Sequence, residues 1–331
     1  MLTQNQPIQG GRPSLNMSLP AGLIHRLAAL LQLLRPAQWS KNVFVFAGVV
    51  FGQKLDHPES VVQALLAFAC FCLVSSTVYI INDVHDRHED RLHPRKCRRP
   101  VASGLIAPGA ALLLALLTGT VGLAGAFLLD RAFFLVAVTY LLLQLAYTAG
   151  LKRQVLLDVI LIGTGFVLRA IAGAVVVHVE ISHWLVICTF TLCLFMGFSK
   201  RRCELIALNE NGGDAGKHRK TLMFYTPDLL NQWTTLTAGI AVVSFILYAT
   251  DERTVHVFKS NYLVYTLPLV VYAVFRFAFL VEHGRVDGPT DVVLKDRAFQ
   301  AAIAAWGVAA VLIVYRGPQI AAWLAQWAQR T

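Results

Sequence analysis

Long apolar runs separated by short polar joints make up most of this chain. From residue 42 onward they occupy roughly 42–56, 61–84, 106–129, 132–150, 155–177, 183–199, 229–249, 260–281 and 297–316. About 20 apolar residues in a helix cross a ~30 Å hydrocarbon core, so the pattern predicts nine crossings, the first of them short. Ahead of them Leu23, Leu27, Leu30, Leu31 and Leu34 recur at helical spacing against Arg26 and Gln32. That predicts an interfacial helix over about 22–34, stopped by Pro36, with Trp39 and Lys41 at headgroup level. Residues 1–20 hold Gly, Pro, Gln and Ser without periodicity and are expected to be a disordered tail. No charged-then-apolar leader pattern opens the chain, so a cleaved signal peptide is not expected. One membrane domain over 21–318 is expected to follow, then an interfacial tail over 319–331 that carries Trp323 and Trp327.

Composition agrees with an all-α integral membrane protein. Of 331 residues, 56% are hydrophobic and only 15% charged, with mean hydropathy +0.58; soluble domains carry about 25% charged residues. The net charge of +10 would fit nucleic acid as a partner only if it covered a soluble face. Here the basic residues lie between apolar spans, which excludes that partner and favours the lipid bilayer and anionic substrates. The N-terminal flank and the 85–100, 151–153, 200–220 and 284–297 joints hold 21 Lys and Arg, against 6 in the opposite set. The basic side is therefore expected to be cytosolic, and the chemistry with it. The six cysteines show neither a disulfide framework nor a zinc spacing and read as apolar fillers. Gly119, Gly122, Gly163, Gly165 and Gly173 read as close helix contacts.

The candidate chemistry concentrates in YIINDVHDRHEDRLHPRKCRRP, Tyr79 to Pro100. Asn82, Asp86 and Asp90 are spaced i, i+4, i+8, one stripe of a helix at about 6 Å intervals, with Asp83 beside it. Carboxylates lined up at a helix mouth repel unless a cation lies between them. Hard oxygen ligands that leave room for water suit Mg²⁺ bridging to phosphates. Asn82, Asp83, Asp86 and Asp90 are thus the candidate metal ligands. Arg91, Arg95, Lys96, Arg98 and Arg99 follow, a group suited to an anion. His85 and His88 fall off the stripe and read as surface residues.

Two further polar clusters accompany this one. Tyr147 and Lys152 flank the turn YTAGLKRQ, with Asp158 after it. Lys200, Arg201 and Arg202 follow the sixth span, and Lys217, Arg219 and Lys220 follow a Gly-rich turn, a basic flap able to close on an anion. Arg169 lies inside a span, where an ionisable group marks a cavity or a partner. A phosphate, or a carboxylate on a neighbouring helix, is the expected partner.

These pieces together resemble the UbiA-type intramembrane prenyltransferase superfamily. The resemblance rests on Asn82-Asp83-x-x-Asp86-x-x-x-Asp90 followed by Arg99-Pro100 and Gly104. RPAQWSKN at 35–42, YTAGLK at 147–152, RAIAG at 169–173, KRRCEL at 200–205 and RKTLMFYT at 219–226 are most similar to its decaprenyl-phosphate phosphoribosyltransferase branch. The second acidic motif usual in the superfamily is absent; the loop reads SKRRCEL. The resemblance implies a nine-helix bundle with a central cavity and a cytosolic cap, in a bacterial inner membrane. It implies an Mg²⁺-dependent transfer of 5-phosphoribose from phosphoribosyl pyrophosphate to a polyprenyl phosphate. Asp86, Asp90 and Lys152 would be catalytic, and Tyr147, Lys152, Lys200, Arg201, Arg219, Lys220 and Arg99 would bind the donor's phosphates. Lys41 and Arg169 would face the lipid phosphate or the cavity. Assembly into homo-oligomers is compatible with this plan. Two alternatives stay open: an aromatic or quinone-precursor prenyltransferase, which should carry the missing motif, and a non-enzymatic transporter.

Overall fold

The structure, a computed structural model, describes residues 21–93, 96–210, 220–283, 292 and 295–328. The tail expected over 1–20, together with Lys217 and Arg219, lies outside these residues, as does the side chain of Lys220. Among the described residues the chain is helical, with no strand. Its α-helices are α1 (Ala21–Leu34), α2 (Ala47–Phe51), α3 (Pro58–His85), α4 (Arg87–Leu92), α5 (Pro108–Leu129) and α6 (Arg131–Ala149). They continue as α7 (Leu157–Val176), α8 (His183–Glu210), α9 (Pro227–Thr250), α10 (Glu252–Phe258), α11 (Leu267–Glu282) and α12 (Arg297–Ala328).

Eight of the described helical segments are long and apolar enough to cross a membrane. The first expected crossing takes another form and starts earlier in the chain. Pro36–Phe46 is eleven residues of 3-10 helix, and the five residues of α2 continue it. At about 2.0 Å rise per residue in 3-10 and 1.5 Å in α, this short stretch reaches about 30 Å, the thickness of the hydrocarbon core. Gly173 on α7 makes room for it: a Cβ there would lie 1.7 Å from the Val45 carbonyl oxygen. Gly48 meets the Ala174 backbone in the same way, at 2.5 Å. Gly173 is among the packing glycines the sequence led one to expect; Gly48 is not.

Local signals set most helix ends. Pro58, Pro108 and Pro227 open α3, α5 and α9 in first-turn positions, where no amide donor is needed. Asp130 ends α5 and at once caps α6 by accepting from Phe133 N at 2.8 Å, so the joint has almost no loop. The last helix runs through Pro318 to Ala328, so the tail expected from 319 continues it.

Consecutive long helices are neighbours, with α3 at the centre of the first half against α1, α5, α6, α7 and the 3-10 segment. Ala29 and Leu33 of α1 pack on Ile80 and Val84 of α3, which holds the interfacial helix beside the acidic end of α3. In the second half α8 packs on α7 and α9, and α11 on α12. Arg202 of α8 braces this half, donating to the Val281 carbonyl at 3.0 Å and pairing with Glu282 at 2.6 Å. The halves also meet at the opposite end, where the Tyr315 hydroxyl of α12 accepts from Leu55 N and donates to the Val49 carbonyl, both at 3.1 Å.

Candidate functional site

The predicted acidic row lies at the C-terminal end of α3 and in α4. Helix α3 stops at His85, Asp86 joins it to α4 with ψ near 4°, and Asp90 N still bonds to the Asp86 carbonyl at 2.8 Å. Two cations divide the row between them. Lys152 Nζ lies 3.2 Å from Asn82 Oδ1 and 2.6 and 2.7 Å from the two Asp86 carboxylate oxygens. Arg99 bridges the other half, 3.1 Å from Asp83 and 2.6 Å from Asp90. Asp83, 2% exposed, also takes Arg35, which reaches it across 48 residues of sequence. Asn82 and Asp86, four residues apart on one helix face, share Lys152, and Asp83 and Asp90, seven apart on the neighbouring face, share Arg99. His85 and His88 are exposed, as expected.

Lys152 sits on a short 3-10 turn, Leu151–Arg153, between α6 and α7. Tyr147, expected beside it, is half-buried at the end of α6. Beyond the turn Leu156 has φ 68° and ψ −46°, and Leu157 N bonds back to the Val155 carbonyl at 2.9 Å, a γ-turn of the kind rare for a side chain with a Cβ. Next comes Asp158, 0% exposed. Its Oδ1 accepts from the Tyr225 hydroxyl at 2.9 Å, and its Oδ2 lies 3.0 Å from Arg201 Nε. Burial pushes the Tyr225 phenol up to about 12, so it keeps its proton for that bond.

Arg201, expected at the donor's phosphates, is itself 1% exposed and enclosed between Asp158 and Glu204. Lys200 is half exposed, 3.9 Å from Glu204. Of the basic residues expected at the donor, the structure brings Lys152 and Arg99 to the acidic row.

Deeper in the bundle lies a second cationic group. Arg169, 4% exposed, donates to Asn42 Oδ1 at 2.8 Å, to the Tyr140 hydroxyl at 2.7 Å and to the Gly165 carbonyl at 2.9 Å. Its guanidinium also faces the rings of Tyr140 and Phe166. Of the two expected partners, a phosphate or a carboxylate on a neighbouring helix, the described residues supply no carboxylate; neutral acceptors hold the positive charge in place without cancelling it. Lys41 is half-buried near enough to Arg169 and Arg35 to feel their repulsion, and among the described residues no carboxylate pairs with Lys41 or Arg169. Asn42 also donates to Ser75 of α3, seven residues before Asn82. Asn42, and Arg169 bonded to it, therefore lie about 10 Å further into the bundle than Asn82.

The sequence reading did not find Arg35, Tyr140 or Tyr225 in these roles. A tyrosine inside an apolar span is itself a signal, because its hydroxyl must find a partner there. The pairing of Arg35 with Asp83 has no local signature.

Asn82 and Asp86 fit a hard divalent cation, since three of their oxygens already converge on one positive point at Lys152 Nζ. Among the described residues no three carboxylates, imidazoles or thiols converge in that way. A cation bound here would therefore draw its remaining ligands from water and phosphate, the usual habit of Mg²⁺.

Residues 42–303 match the model of the UbiA prenyltransferase family. A decaprenyl-phosphate phosphoribosyltransferase of Mycobacterium tuberculosis is 35% identical over 291 residues, 87% of this chain and 93% of that protein. One of Corynebacterium glutamicum is 34% identical over 87% of each. A solved UbiA homolog from Archaeoglobus fulgidus, bound to GPP and Mg²⁺, has a TM-score of 0.64 at 21% identity over 87% of this chain and 99% of that one. The chain thus belongs to the UbiA prenyltransferase family.

Proposed function

We propose that this protein transfers 5-phosphoribose from phosphoribosyl pyrophosphate to a polyprenyl phosphate and releases pyrophosphate, on the cytosolic face of the membrane. The observation that carries the reading is the pair of separated cationic sites. One is the acidic row with Lys152 and Arg99, suited to a metal-bound pyrophosphate; the other is Arg169, about 10 Å deeper, with Lys41 near enough to feel its charge, suited to a lipid phosphate. The names of the relatives that match most of this chain point the same way. Basic SKRRCEL in place of a second acidic motif weighs against a prenyl pyrophosphate donor.

The step is a displacement at the anomeric carbon. A lipid phosphate oxygen forms a bond to C1, and the bond from C1 to pyrophosphate breaks, its electron pair leaving with the pyrophosphate. The acceptor is already anionic at neutral pH, so no strong general base is needed. Mg²⁺ held by Asn82 and Asp86 would supply positive charge to the leaving group. Lys152 would then turn its ammonium to a phosphate oxygen, and Arg99 would keep Asp83 and Asp90 in place. Charge that builds in the transition state meets cations already fixed there.

Purified protein with labelled phosphoribosyl pyrophosphate, Mg²⁺ and polyprenyl phosphate is expected to yield a labelled lipid. Turnover only with a prenyl pyrophosphate and an aromatic acid would replace this reading by the prenyltransferase one. Lys41→Ala is expected to raise the KM for polyprenyl phosphate about tenfold and leave that for the donor unchanged. An equal rise in both would remove the separation of the two sites.

A further inference from the structure

We propose that Tyr225 is a positioning residue for Lys152, acting through the strained turn at Leu156. The inference rests on the acidic row being the donor site. Tyr225 is 4% exposed and lies 73 residues after Lys152, in the stretch between α8 and α9. Its hydroxyl makes two bonds. It accepts from Leu156 N at 2.9 Å and donates to Asp158 Oδ1 at 2.9 Å.

Those bonds hold both ends of the short link between the Lys152 turn and α7. Leu156 has a positive φ that a leucine adopts only when its surroundings enforce it. The Tyr225 hydroxyl takes up its amide, and Asp158 is anchored two residues further on. If the link relaxed, the 3-10 turn carrying Lys152 would shift against α3. Contacts of 2.6 to 3.2 Å with Asn82 and Asp86 do not survive such a shift. Asp158 in turn is held by Arg201, so the order of the acidic row depends on a buried polar chain that never touches it. The Tyr225 ring packs edge-on against Trp233, which keeps the hydroxyl aimed and would hold a phenylalanine in the same place.

The test uses Tyr225→Phe in the full chain, with equilibrium binding of phosphoribosyl pyrophosphate in Mg²⁺ as the main readout and steady-state kinetics beside it. The donor Kd and KM are expected to rise about tenfold, as for loss of a group that orients a ligating side chain, while the KM for polyprenyl phosphate stays within about twofold. Tyr315→Phe removes a hydroxyl with comparable bonds at the far end of the bundle and is expected to leave donor affinity unchanged. Leu156→Gly in the Tyr225→Phe background is expected to recover most of the loss, because glycine adopts φ of 68° without a brace. Unchanged donor affinity in Tyr225→Phe, an equal loss in Tyr315→Phe, or no recovery with glycine would each overturn the proposal. If the wild type binds a prenyl pyrophosphate instead, the donor assignment falls. The same comparison read on that ligand still decides the role of Tyr225.

Discussion

Asp86→Ala is expected to lower kcat by at least about 10³-fold, because it removes a ligand of the charge that meets the departing pyrophosphate. The variant should still fold. Asp86 and Lys152 keep part of their surface in solvent, so loss of their pair costs less than the roughly 3–5 kcal/mol of a fully buried one. Asp86→Asn keeps the shape but not the charge and is expected to need more Mg²⁺ for half-maximal rate. Asp83→Asn provides the contrast, because Asp83 is engaged by Arg35 and Arg99 rather than by Lys152. Its loss should show mainly as a lower unfolding temperature. Near-wild-type turnover in Asp86→Ala would remove the acidic row from the chemistry.

A second large effect is expected at Asp158 and Arg201, whose side chains are 0% and 2% exposed. Removing one member leaves a charge buried without its partner, which costs roughly 3–5 kcal/mol. Arg201→Met alone is therefore expected to unfold at a markedly lower temperature, and Asp158→Asn with Arg201→Met should recover part of the loss. This result separates two roles for Arg201. A residue that brackets the donor would instead give a stable variant with weak donor binding.

The resemblance carried the family, and the apolar pattern carried the architecture. Water cannot satisfy backbone groups inside a bilayer, so runs of this length and composition are forced into helices whatever their neighbours are. Pro58, Pro108, Asp130 and Thr226 act on their own helix ends through bonds within a few residues, which makes those boundaries readable along the chain. The acidic row was legible for a similar reason, since its charge at a membrane mouth needs an explanation before any fold is known, whereas Lys152 was singled out by the resemblance.

What each charge is paired with was decided only by the tertiary structure. The spacing of Asn82, Asp86 and Asp90 marked the acidic row, but not that Lys152 would take Asp86 and Arg99 would take Asp90. The resemblance put Arg201 among the donor-phosphate ligands, and it lies on α8 rather than in the loop expected there. Asp158, 43 residues earlier in the chain, claims it instead. That Asn42 and Tyr140 would hold Arg169 was not readable from the chain. Even the first crossing, where the chain adopts 3-10 geometry, depends on Gly173 leaving space on α7. The sequence by itself determined which segments enter the membrane and where charge collects, because burial and repulsion act on composition and local spacing. Which cation meets which carboxylate is a matter of contacts between residues far apart in sequence, and only packing brings those into reach.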